Sequence, residues 1–181
     1  METKSTIKME STQPTTGQFA LRYGLLLGAV TVVFSLMLHF MDMQYDQGMA
    51  KNIISIVMLF GIILLAVIQF KKSNEGYISV SEALKVGVGT ALIGGIISII
   101  YTMIYVNFID PNFHEQIAEL SRAGMMENNP EMTQEQMDTA IEMQQKFFWV
   151  TYPFILIFNI VVGFVISLIA GLIVKKGKNE F

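Results

Sequence analysis

Four apolar runs divide the chain, and the polar stretches between them decide how it is read. Phe19 to Met43, Ile53 to Phe70, Ala83 to Val106 and Phe147 to Val174 each approach or exceed the roughly 20 residues that cross a hydrocarbon core of about 30 Å. Their few charges, Arg22, Asp42 and Lys85, stand near the ends. Between the third and fourth runs the spacing becomes that of amphipathic helices. Phe113, Ile117, Leu120 and Gly124 follow it before Asn128-Asn129-Pro130, and Met137, Ala140, Ile141, Gln144 and Phe148 after it. The pattern predicts an all-α fold over residues 19–176: an integral membrane four-helix bundle with spans at about 19–43, 53–70, 83–106 and 147–174. An amphipathic helical hairpin over 111–146 stands between spans 3 and 4. Residues 1–18, rich in Ser, Thr and Gln, are expected as a disordered tail. The first run is too long for a signal-peptide core, and no small-x-small cleavage site follows it.

The third span carries the clearest local signals. Ser79 and Glu82 make a capping box at its start, and Glu82 and Lys85 are spaced for an ion pair. Val86 to Ile100 is free of charge, and Tyr101 and Tyr105 suit the far interface. Asp110-Pro111 predicts the N-cap and first position of the next helix. Thr133 and Gln136 predict a second capping box. The second hairpin helix is expected to run into the fourth span, which Pro153 should kink.

Small residues recur every fourth position on three spans: Gly24 and Gly28; Gly87, Ala91 and Gly95; Gly163, Ser167 and Gly171. Such stripes let helix backbones approach closely, so these are the candidate packing residues. Asn159, deep in the fourth span, is the candidate for an interhelical hydrogen bond. Bulky residues fill the opposite halves of the spans, which predicts a bundle tight at the stripes and splayed at the other end.

Composition sharpens the picture in two ways. The chain has 181 residues, 52% hydrophobic and 15% charged, below the usual quarter for a soluble domain. There is no cysteine, so disulfides, thiol catalysis and thiolate metal sites are excluded. With four spans, nine of the twelve Lys and Arg fall on the side of the termini and the second loop. The positive-inside rule then places both termini in the cytoplasm and the acidic hairpin outside.

The first and third spans open alike, Ala20-Leu21-Arg22-Tyr23-Gly24 and Ala83-Leu84-Lys85-Val86-Gly87. Both close on Phe-x-Asp, and the second and fourth close on Lys-Lys. This suggests a duplicated two-helix unit related in parallel sense. The run Gly76 to Gly87, the Phe-x-Asp-Pro exit, the acidic hairpin and Ser167 to Lys176 resemble the bacterial membrane family catalogued as domain of unknown function 4199 (DUF4199), over roughly Phe19 to Lys176. The resemblance implies a small, multi-pass protein of the bacterial cytoplasmic (inner) membrane and supplies no activity.

Chemistry is sparse. No HExxH, GxSxG or phosphate loop occurs, and no acidic pair lies within a span, so no catalytic residue, cofactor or nucleic-acid partner is expected. His114 reads as a solvated surface group. Ten of the thirteen methionines, from Met37, Met41, Met43 and Met49 through Met103 to Met125, Met126, Met132, Met137 and Met143, could with His39 offer soft ligands to Cu(I), but their spacings isolate no ligand set and gap-filling explains them, so no metal is assigned. The expected function is non-enzymatic: a protein in the lipid bilayer whose acidic hairpin meets an envelope partner or a second copy. The alternative is a small-solute transporter or permease subunit working as a homo-oligomer.

Overall fold

The structure, a computed structural model, describes residues 15–46 and 48–177. Six α-helices follow in order: α1 (Thr16–Phe40), α2 (Met49–Ser73), α3 (Val80–Ile104), α4 (Phe113–Asn128), α5 (Gln134–Lys146) and α6 (Thr151–Val174). A π-helical turn, Tyr105–Ile109, prolongs α3, and a 3-10 turn, Phe148–Val150, precedes α6. Four stretches, Thr16–Phe40, Met49–Ser73, Val80–Ile109 and Phe148–Val174, are long and apolar enough to cross a membrane. The polar tail expected over 1–18 lies mostly outside the described residues. Its last part, from Thr15, forms a capped helix start.

Capping fixes three of the six starts. Ser79 with Glu82 and Thr133 with Gln136 both form complete capping boxes, and so does Thr15 with Gln18. Glu82 Oε2 accepts from both the backbone N–H and the hydroxyl of Ser79, at 2.8 Å each. That arrangement replaces the expected ion pair with Lys85.

Helix α3 is the hub, because its small residues lie on two faces. Toward α1, a Cβ on Gly89 would lie 2.7 Å from Ala20 Cβ, and one on Gly94 would lie 2.5 Å from Leu27 Cδ2. Toward α6, Gly87 meets Ser167, and Gly95 meets Leu156 and Asn159. These contacts run parallel along α1 and antiparallel along α6. Helix α2 closes the group: Ala66, Val67 and Phe70 pack with Ile78, Ala83, Val86 and Ala170.

The core occupies one half of the bundle. Buried positions fall at Ala20–Gly28 in α1, Leu59–Phe70 in α2, Ala83–Gly95 in α3 and Gly163–Gly171 in α6. This half ends at Arg22, Lys71, Lys72, Lys85, Lys175 and Lys176, and is called the lysine end below. Toward the opposite, acidic end, Met49, Ile53, Ile54, Ile56 and Val57 of α2 are all exposed. The lysine end is also laced together by backbone. Ile78 and Lys176 exchange two hydrogen bonds, 3.1 and 3.0 Å, and Lys71 Nζ donates to Val174 O at 2.8 Å. Gly76, at φ +82°, makes the turn that delivers Ile78 to this bridge.

Two expectations about helix ends are corrected. Asp110 does not cap α4; Asn112 holds that position, and the Asp110 side chain turns back to the bundle. The chain does not run from α5 into a kinked span. It breaks at Phe147–Val150, and Pro153 lies at the third residue of α6, where its missing N–H would have no intrahelical partner anyway. Helices α4 and α5 lie against each other, burying Ala118, Met137 and Ile141, with Arg122 Nη2 2.5 Å from Asp138 Oδ1.

Candidate functional site

Two features at the acidic end stand out. The first is a hydrogen-bonded chain where α1, the α1–α2 loop and the π turn of α3 meet. The π turn closes with the Asp110 N–H donating to Tyr105 O, which swings the carboxylate back under the helix end. Asp110 is buried, at 8% exposure. Its Oδ2 accepts from the Tyr45 hydroxyl and, at 3.4 Å, from the Tyr105 hydroxyl. Tyr105 Oη also shares a hydrogen bond with His39 Nδ1, 2.9 Å away, whose direction follows the imidazole tautomer. Burial, and then the bond to Asp110, push the Tyr45 phenol up from its ordinary range.

Aromatic rings continue the contact into α4 and the start of the last span. Phe113 touches Tyr45, Tyr105 and Phe148, and His114 stacks edge-on against Phe148 with ring centroids 4.7 Å apart. His114 is therefore half-buried against rings, not the solvated group expected. This polar and aromatic root is where α4 joins the spans.

The second feature is a cavity of about 240 Å³ between the four spans, on the acidic-end side of the core. Leu27 and Thr31 line it from α1, and Ser55, Ile56 and Leu59 from α2. Gly94 and Ser98 close it from α3, and Ile155, Phe158 and Asn159 from α6.

The residues singled out from sequence fall as follows. A Cβ on Gly24 would lie 2.5 Å from Ile93 Cβ, and one on Gly28 2.5 Å from Ile97 Cδ1. Gly87 faces Ser167, Gly163 faces Ala91, and Gly171 faces Ala83 at 2.9 Å. Ser167 Oγ donates to Gly163 O of its own helix, 2.5 Å away. Asn159 is a correction. Its Nδ2 donates to Ile155 O, 2.8 Å away on the same helix, and not across to another, because a short amide reaches the i−4 carbonyl without strain. Met37, Met41 and Met43 are exposed, and His39 Nδ1 is engaged by Tyr105. Among the described residues no group of three or more His, Cys, Asp or Glu is placed to hold a metal. Sequence reasoning missed the chain of His39, Tyr45, Tyr105 and Asp110. Its one trace is an aspartate directly after a long apolar run, too hydrophobic a place for a carboxylate with no partner.

A family model described as a protein of unknown function (DUF4199) matches residues 22–176, and the chain belongs to that family. No curated protein matches it, and no solved structure does.

Proposed function

We propose that this DUF4199 member is a multi-pass protein of the bacterial cytoplasmic membrane. Its lysine end and both termini face the cytoplasm, and α4 and α5 form an extracytoplasmic hairpin that contacts a partner without catalysis. The observation that carries the reading is how the hairpin is held and what it presents. It joins the bundle through its root of rings and the Asp110 chain, while Glu115, Glu119, Glu127, Glu131, Glu135, Asp138 and Glu142 are all exposed. Arg122 is already paired with Asp138. Like charges repel, so this surface favours a basic envelope partner over a second copy of itself.

A photocrosslinking residue at Glu119 or Glu142 in intact cells tests the reading. The expected result is one discrete protein adduct, lost when Glu115, Glu127 and Glu135 become Lys. Adducts to lipid alone, or none, would overturn it. The cavity supports a second reading, a transporter or permease subunit. Against that, no charge lies in the middle of any span to couple an ion.

A further inference from the structure

We infer that the cavity between the four spans binds a small, neutral, lipid-soluble molecule bearing a hydrogen-bond donor, of the alcohol or phenol class. This deepens the transporter reading by naming its class of solute, but it needs no transport. No charged side chain lines the cavity, so an ionised ligand would lose its hydration with nothing to replace it. Leu27, Leu59, Ile155 and Phe158 supply an apolar wall.

The polar side chains set the sense of the hydrogen bond. The Ser55 hydroxyl donates to Lys51 O at 3.0 Å, and the Ser98 hydroxyl donates to Gly94 O at 2.9 Å. A hydroxyl has one proton, so each serine has only lone pairs left to offer. Asn159 has given one amide N–H to Ile155 O and keeps the other together with its carbonyl oxygen, and the Thr31 hydroxyl keeps its proton. Acceptor oxygens on Thr31, Ser55, Ser98 and Asn159 therefore outnumber the two free donors, on Thr31 and Asn159, and the complementary ligand is one bearing a hydroxyl, which donates and can also accept. Its size follows from volume. At about 240 Å³ the cavity exceeds the roughly 150 Å³ that takes up benzene and falls below the roughly 300 Å³ of drug-sized sites, which suits one ring with a short chain. Ser55, Ile56 and Phe158 of its rim are exposed on stretches that can cross a membrane, so entry is sideways from the lipid.

The test uses the full chain in nanodiscs, with 4-propylphenol and its methyl ether as probes and empty nanodiscs as the partition blank. Equilibrium dialysis should show saturable binding of one phenol per chain. The ether, which cannot donate, should bind about fivefold to tenfold more weakly. The Ser98→Ala, Asn159→Leu double variant should narrow the difference between the two probes. If that variant does not fold, the comparison of the two probes on the wild type still decides. Non-saturable uptake, or equal affinity for phenol and ether on the wild type, overturns the site. No gradient is present in this assay. Loss of binding therefore removes the site and leaves the partner reading intact, while binding without solute flux in a separate uptake assay removes only the transporter reading.

Discussion

Among single residues, the glycines separate into two kinds that look alike in sequence. Gly87 and Gly163 face another helix at a distance no side chain can occupy, whereas a Cβ at Gly61 or Gly124 would meet nothing within 4 Å. Gly124→Ala should therefore raise stability by about 0.5–1 kcal/mol, the ordinary helical gain. Gly87→Leu should lower the melting temperature in detergent far more than Ile100→Leu, because overpacking a closed contact costs about 1–3 kcal/mol or more. Equal melting of the last two variants would refute the close packing. Spacing every fourth residue made the stripes readable. Gly89 and Gly94 escaped because they lie out of phase with the stripe beside them and serve a different neighbour. Tyr45 was unreadable as well, since its partner Asp110 is 65 positions away. Its raised phenol has a sign that can be checked. A tyrosine kept protonated by the fold contributes stability that is fully present below pH about 10 and is lost as pH climbs past it. Tyr45→Phe should flatten that alkaline decline, measured as melting temperature between about pH 8 and 11. A slope identical to the wild type's would count against the Tyr45–Asp110 bond.

For whole elements, the two halves of α2 should respond differently to the same change. Ile63 is fully buried and Ile54 is 45% exposed. Ile63→Ala should cost about 2–5 kcal/mol, and Ile54→Ala under about 1 kcal/mol, in reversible unfolding in mixed micelles. Similar losses would mean that the acidic-end half of α2 is packed after all. The pair of α4 and α5 offers a smaller effect. Arg122 and Asp138 are 44% and 58% exposed, so Arg122→Ala should cost no more than about 1 kcal/mol. Helix existence was legible from apolar length and from the capping boxes at Ser79 and Thr133. Helix ends were less so. Asp-Pro reads locally as a helix start, yet a buried tertiary bond claimed the Asp110 carboxylate. Pro153 reads as a kink, and its place in a first turn depended on a break upstream that no residue type announces.

The whole molecule answers to one topological test. Single cysteines in place of Ser73 and Ser121, probed with an impermeant thiol reagent on intact spheroplasts, should label at 121 and not at 73. The reverse result would invert the orientation drawn from the lysines. How the spans gather was partly legible too. Small residues marked where backbones approach, and the core lies in that half. The cavity was not legible residue by residue, since its lining comes from four helices far apart in the chain and its hydroxyls resemble ordinary span serines.

The bridge between Ile78 and Lys176 bears on how the molecule is made. The two residues are synthesised nearly a hundred positions apart, and one lies beyond the last span. During translation the earlier spans enter the bilayer before Ile78 has its partner, its backbone N–H and C=O held by water. Only when the nascent chain has delivered Lys176 can this seam close. The locking of the bundle thus waits on residues that follow the last span, and a ribosome stalled within that span would leave the earlier helices with no clasp.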